Sequence, residues 1–203
     1  ENDYLNGKIR LLNNENKRSA IFIDRDGVIN KEVDNLRKIE EFELIKDVPE
    51  AIKLINNSNY LAIVITNQPV IAKGWSSFQN LKMIHNKMET LLGLKNAYLD
   101  KIYFCPHHPD SGFEGEIKEL KKDCKCRKPK IGLITKAVND FNIDLESSYI
   151  IGDTTSDIKT GQNADIKSIL VKTGYAGKDN KYNVSPNFIA NDLISAVKQI
   201  LKR

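Results

Sequence analysis

Short apolar runs alternate with longer amphipathic stretches along most of this chain. The runs at 20–23, 60–65, 101–104, 149–151 and 166–171 are rich in Ile, Val, Tyr and Phe, and each predicts a short strand. Between them lie segments of helical character. Residues 49–57 form one, with Pro49 near its start. A second runs from a cap at Ser76 or Ser77 to about Leu92 and places Leu81, Ile84, Met88, Leu91 and Leu92 on one face. Further helices are expected over 131–141, 156–164 and 192–201. Strand-type and helix-type segments in alternation predict an α/β fold, a Rossmann-like three-layer sandwich around a central, mostly parallel sheet.

Two stretches break the alternation. Residues 1–18 carry Asn, Lys and Glu without apolar periodicity and read as a linker or lead-in, leaving 19–203 as one domain. Residues 106–129 form a polar excursion after the third strand. No internal repeat is present, and 203 residues suffice for one full core.

The chemically distinctive residues fall just after strands. Asp24 follows the first, Thr66 the second and Asp153 the fourth. In open parallel sheets, ligands bind beyond the carboxyl ends of the strands, so three polar residues arriving there define one candidate site. In Asp24-Arg25-Asp26-Gly27, Gly27 permits a tight turn that aims both carboxyl groups into one crevice. One carboxylate can attack phosphorus, and the other can protonate a leaving alkoxide and then deprotonate water. The same motif alone also describes two solvated acids in a loop. Gly152-Asp153, with Asp157 four residues on, supplies two more acids, and Asp153 beside Asp24 would need a cation between them. Asp153 alone also reads as the cap of the following helix. Thr66-Asn67-Gln68 offers a hydroxyl and amides to phosphate oxygens, and Arg127-Lys128 offers two cations.

Charge and cysteine count sharpen this picture. The net charge of +4, from 31 basic and 27 acidic residues, is too mild to argue for a nucleic-acid partner, and no basic stripe with interleaved aromatics is present. No apolar run approaches the roughly 18–20 residues needed to span a bilayer, and no signal-peptide pattern opens the chain, so a cytoplasmic protein is expected. The three cysteines, Cys105, Cys124 and Cys126, are an odd count in a cytosolic-looking chain, which argues against a disulfide framework. With His107 they bracket the polar excursion and supply a four-donor set suited to tetrahedral zinc, His108 being the alternative nitrogen donor. Sixteen residues separate His107 from Cys124, so the metal would close a loop with little core of its own.

The order acid pair, Thr, Lys, acid pair resembles the haloacid dehalogenase superfamily of phosphotransferases from Ala20 onward. The resemblance implies Asp24 as nucleophile, Asp26 as general acid and base, and Thr66 and Lys128 as phosphoryl stabilisers. It implies magnesium on Asp24, the Asp26 backbone carbonyl and Asp153, with Asp157 supporting. The cysteine block followed by Arg127-Lys128-Pro129 looks like the zinc-loop phosphatases of that superfamily, namely heptose 1,7-bisphosphate 7-phosphatases and histidinol phosphatases. The long spacing is more similar to the former. That implies no large cap domain, a zinc-bound loop beside the active site, Arg127 in substrate recognition, and a phosphorylated sugar as substrate. The expected reaction is removal of the C7 phosphate from D-glycero-D-manno-heptose 1,7-bisphosphate. A histidinol phosphatase, a silent regulatory domain of the same fold and a nucleic-acid end phosphatase are the alternatives.

Residues 1–10 look like the tail of a sugar nucleotidyltransferase, which would place the domain behind a fused partner, account for the absent initiator Met and favour the α-anomer. The chain also departs from the family pattern. Val33-Asp34-Asn35 stands where a substrate loop usually carries an aromatic Gly-Tyr pair, which makes Asp34 and Asn35 this chain's own candidate substrate contacts beside Asn67 and Gln68. Thr154 replaces a common Lys or Arg, and Pro69-Val70 a common Ser-Gly.

Overall fold

The apolar runs assemble into a single six-stranded sheet whose two faces bury separate clusters of side chains. The computed structural model describes residues 17–202, and the lead-in read as a nucleotidyltransferase tail lies outside the described residues. Arg18 already belongs to the fold, since its N–H donates to Asn142 O at 3.1 Å and its carbonyl accepts from Asp144 N at 2.9 Å.

The elements are β1 (Ser19–Ile23), α1 (Val48–Asn56), β2 (Tyr60–Asn67), α2 (Phe78–Gly93), β3 (Lys101–Cys105), α3 (Gly132–Phe141), β4 (Tyr149–Gly152), α4 (Thr155–Asn163), β5 (Lys167–Val171), β6 (Phe188–Ala190) and α5 (Leu193–Leu201). Strand order is β3-β2-β1-β4-β5-β6, and every pairing is parallel. The order reverses direction between β1 and β4, which opens a crevice at their carboxyl ends.

Alternate residues of each strand face opposite layers. Ile21 and Ile23 of β1 pack with Val64, Ile151 and the inner faces of α1, α2 and α5, whereas Ala20 and Phe22 pack with Ile63, Ile150 and α3. Gly161 of α4 closes on Ile150 and Ser168, where an added Cβ would stand 2.8 and 3.0 Å from side-chain atoms, so α4 lies on the α3 side. The outcome is the expected three-layer sandwich. Ile52 and Ile55 of α1 are wholly buried, each contributing about 2–3 kcal/mol by transfer from water.

Helix starts follow local chemistry. Ser77 Oγ accepts from Asn80 N at 3.0 Å, and Asp192 Oδ1 accepts from Ser195 N at 2.9 Å. The reading of Asp153 as a helix cap is corrected. Thr154 caps α4 in a reciprocal box with Asp157, leaving the Asp153 carboxylate free for other partners. Strand β6 had no counterpart in the apolar pattern, because it has three residues and only Ala190 is buried. It exists by pairing along β5. Among the described residues, no helix is long and apolar enough to cross a membrane.

Candidate active site

The crevice at the β1/β4 switch point gathers acids from separate strand ends. Asp24 leaves β1 with its N–H held by Ile151 O of β4 at 3.0 Å. Lys128 Nζ, almost wholly buried, lies 2.9 Å from Asp24 Oδ1 and 2.6 Å from Asp157 Oδ1. Carboxylate oxygens of Asp24, Asp153 and Asp157 all lie within 4.8 Å of one another. One ammonium therefore faces three buried carboxyls. Burial pushes Asp24 up to about 7, against the pull of Lys128 and with a further push from Asp157. Burial, then Asp157 and Asp24, push Asp153 up to about 9.

Asp153 is held at one oxygen only. Its Oδ2 accepts from Tyr175 N at 2.7 Å, while its buried Oδ1 meets no hydrogen-bonding group of the protein. Gly27 and Gly174, both at positive φ, close around it, and a Cβ at either position would stand 2.3 or 2.1 Å from Asp153 Oδ2. An orphaned carboxylate oxygen, a surplus of buried acids and an all-oxygen donor set fit a small hard cation such as magnesium.

Asp26 sits in a different environment. Arg25, fully buried, grips it with Nη2 at 2.8 Å from each oxygen, and Nε reaches Oδ1 at 3.1 Å. Asn30 Nδ2 donates to Oδ1 at 3.0 Å and Gln68 Nε2 to Oδ2 at 2.8 Å. Burial pushes the Asp26 carboxyl up, but Arg25 and these hydrogen bonds outweigh it and hold the group below the usual carboxylate range. Arg25 Nη1 lies 3.3 Å from Nε2 of His85, whose imidazole is driven down to about 4 by burial and by the guanidinium, so it stays neutral as an acceptor.

The expected substrate contacts Asp34, Asn35, Asn67, Gln68 and Arg127 all line the crevice, together with Thr66. Four of them, Asp34, Asn67, Gln68 and Arg127, already have partners for their side chains. Asn67 Oδ1 accepts from Lys128 N at 3.0 Å while its Nδ2 donates to Lys128 O at 3.2 Å, which fixes the lysine's backbone. Gln68 Nε2 also donates to Thr66 Oγ1 at 3.0 Å, so this amide orients Asp26 and Thr66 together. Asp34 accepts from the Tyr175 hydroxyl across the crevice mouth.

The excursion after β3 folds back so that Cys105, His107, Cys124 and Cys126 meet. The Sγ atoms of Cys105, Cys124 and Cys126 are 3.2–3.5 Å apart, and His107 Nδ1 is 3.2 Å from Cys126 and 3.7 Å from Cys105. A tetrahedral zinc with bonds of about 2.1–2.3 Å spaces its ligands by roughly 3.5–3.8 Å, so the donor set is nearly at that separation. His108 turns away, with Nδ1 accepting from Asp110 N at 3.2 Å, which leaves His107 as the nitrogen donor. Lys128 follows Cys126 by two residues, and Gln68 N donates to Cys105 O at 2.7 Å, so the cluster and the crevice share a wall.

Arg25, Asn30, Gly174 and Tyr175 build this site without having been singled out from the sequence. Gly174, three residues beyond a predicted strand, was the one detectable signal.

Removing the ammonium tests the charge balance directly. Lys128→Met leaves Asp157 buried without its cation, with an expected cost of about 3–5 kcal/mol. Asp24 and Asp153, already raised by burial, also lose the pull of the ammonium, so their folded pKa values stand further above the unfolded ones. The folded state binds the extra protons, and stability falls as pH rises. Urea unfolding of metal-free protein at pH 5.5 and 8 should show the larger loss at pH 8; equal losses would refute this account.

A doubly wound parallel sheet with an Asp-x-Asp pair after β1, a Thr after β2, a buried Lys and an acid pair after β4 defines a haloacid-dehalogenase-like phosphohydrolase. The profile of the "HAD-hyrolase-like" family matches residues 125–196. The D-glycero-alpha-D-manno-heptose-1,7-bisphosphate 7-phosphatase of Photorhabdus laumondii is 40% identical over 91% of this chain and 98% of its own. The D-glycero-beta-D-manno-heptose-1,7-bisphosphate 7-phosphatase of Haemophilus ducreyi is 37% identical over 78% of this chain and 86% of its own. The crystal structure of the D,D-heptose 1,7-bisphosphate phosphatase of B. bronchiseptica, complexed with magnesium and phosphate, superposes with a TM-score of 0.79 at 27% identity, covering 91% of this chain and 98% of that one. The chain belongs to the heptose-1,7-bisphosphate 7-phosphatase family of haloacid-dehalogenase-like hydrolases.

Proposed function

We propose that this chain removes the C7 phosphate of D-glycero-D-manno-heptose 1,7-bisphosphate, with the α-anomer preferred, through an aspartyl-phosphate on Asp24. The observation that carries the chemistry is the meeting of Asp24, Asp153 and Lys128 at one crevice. It pairs a nucleophile with a cation site and a buried ammonium. The substrate follows from the relatives' names, and the α-anomer from the higher identity and coverage of the α-specific one.

Asp24 attacks phosphorus, and the bond to O7 breaks as Asp26 delivers a proton to that oxygen. Asp26 rests as a carboxylate under the Arg25 clamp, so it must first take up that proton. Returned to the carboxylate form, it deprotonates the water that hydrolyses the aspartyl-phosphate. Thr66 and Lys128 stabilise the transferred phosphoryl oxygens. Asp24, Asp153 and the Asp26 carbonyl would hold magnesium, which supplies charge neutralisation at the phosphoryl oxygens, with Asp157 keeping Lys128 in place. Cys105, His107, Cys124 and Cys126 would hold zinc as a structural ion. The three free cysteines also support a reducing, cytoplasmic setting. A fused nucleotidyltransferase ahead of the domain is part of this reading and rests on the resemblance of residues 1–10.

The deciding experiment compares kcat/KM on both heptose bisphosphate anomers and on histidinol phosphate. The heptose substrates should lead by at least about 100-fold, because a site built for polar groups rejects a ligand that lacks them. Equal or better turnover of histidinol phosphate would overturn the substrate assignment.

A further inference from the structure

Beside the crevice lies a group of cations that no carboxylate among the described residues pairs with. The Arg37 guanidinium stands 4.4 Å from the Trp75 ring centroid, and Lys73 Nζ stands 4.5 Å from the same centroid. Lys73 Nζ also lies 4.8 Å from the Phe113 centroid, and the two aromatic rings meet edge to face at 5.5 Å. Among the described residues, Arg37, Lys73 and Arg127 have no carboxylate at ion-pair distance.

Each cation is anchored to the crevice wall. Arg37 follows Leu36, a wall residue, and Arg127 is itself in the wall. Lys73 N donates to Pro69 O at 3.0 Å and Trp75 N to Val70 O at 2.9 Å, and both acceptors belong to wall residues. Three loops that enclose the crevice thus present positive charge at its rim. Burial first, and then Arg127, Lys121 and Arg37, make it harder for Lys73 to stay charged, while Asp110 opposes them more weakly. Lys121 is partly neutralised by Glu116, whose Oε2 is 3.6 Å from its Nζ. Like charges gathered against their own repulsion favour an anion between them. The aromatic faces hold the cations in place and leave their N–H groups free to donate.

We infer that Arg37 and Lys73, carried on Trp75, form a second anion subsite at the crevice rim that takes the substrate phosphate that is not hydrolysed. This rests on the reading of the substrate as a sugar bisphosphate. The subsite sets specificity for a bisphosphate over a monophosphate and takes no part in bond breaking.

The test uses Lys73→Ala, Arg37→Ala and the double variant, with Lys73→Arg as the conservative control. KM is measured on D-glycero-D-manno-heptose 1,7-bisphosphate and on the 7-monophosphate, and Ki for inorganic phosphate. Each single Ala variant should raise KM for the bisphosphate at least about tenfold, the loss of one charge-assisted contact. KM for the monophosphate, Ki for phosphate and kcat should stay within about twofold, and Lys73→Arg should retain most of the preference. Parallel shifts for both sugars, or no shift for either, overturn the subsite. Unchanged p-nitrophenyl phosphate turnover certifies that each variant is folded. If the wild type prefers histidinol phosphate, the heptose reading fails on its own. The subsite is then read from inhibition of p-nitrophenyl phosphate hydrolysis by fructose 1,6-bisphosphate against fructose 6-phosphate. A bisphosphate preference that Lys73→Ala removes sustains the subsite, and no preference in the wild type overturns it.

Discussion

Asp24→Asn is expected to abolish phosphate release while leaving the protein folded. The amide cannot form the aspartyl-phosphate, and loss of a covalent nucleophile lowers kcat by at least about 10⁴-fold. Folding should survive for a reason visible in the crevice. Asp24 is a buried acid already pushed up to about 7, so its charge is held at a cost when no metal is bound. Asn has the same shape, and Lys128 keeps Asp157 at 2.6 Å as its counter-charge. The Tm of metal-free protein should therefore stay within a few degrees of wild type. Steady-state phosphate release, with rapid-quench detection of the phosphorylated enzyme, checks both parts. A variant with wild-type turnover would remove Asp24 from the chemistry altogether.

Removing zinc is expected to have the largest effect on stability. The excursion from Pro106 to Pro129 contains one short 3₁₀ turn, Lys118–Leu120, and few buried apolar side chains. Its inner end is fixed by Cys105, His107, Cys124 and Cys126 converging on one point. Without a cation, thiols packed at 3.2–3.5 Å cannot all ionise, and burial pushes Cys105 and Cys126 up. A structural zinc contributes folding energy outright, and a loss of about 4 kcal/mol or more is expected on chelation. For a chain of this size that is a Tm decrease of about 8–16 °C. Activity should fall too, because Arg127 and Lys128 directly follow Cys126, and release of the loop would free Lys128 from Asp24. Metal analysis should give about one zinc per chain, and Cys124→Ser should reproduce the effect of chelation. A metal-free protein of equal stability would refute the site.

These two predictions concern residues that the sequence alone made conspicuous. Asp24, Thr66 and Asp153 each stand at the end of an apolar run, and the cysteines flank one polar segment. Such signals are local, because a strand's burial and the residue that leaves it are written next to each other in the chain. The same locality let the sequence identify five strands, five helices and the α/β class, and it placed helix starts at Ser76 or Ser77, of which Ser77 is the cap, and at Asp192.

What the tertiary structure alone decided depends on which distant segments the sheet order brings together. Arg25 received no role from the sequence, yet it clamps Asp26, and His85, 60 residues on, lies against its Nη1. Tyr175 reaches back 141 residues to Asp34 and also holds Asp153. Asn67 and Gln68 were legible as polar residues at a strand end, but their partners Lys128 and Asp26 come from other loops. Trp75 carries Arg37 and Lys73 only because two loops meet at the crevice rim. Periodicity and strand-end position encode burial and direction, so the sequence by itself determined the fold class and pointed to the acids that meet in the crevice. Hydrogen bonds and charge pairing need atoms within about 3 Å, so the clamp on Asp26, the cradle of Asp153 and the meeting of Arg37 and Lys73 on Trp75 were settled only by the packed sheet.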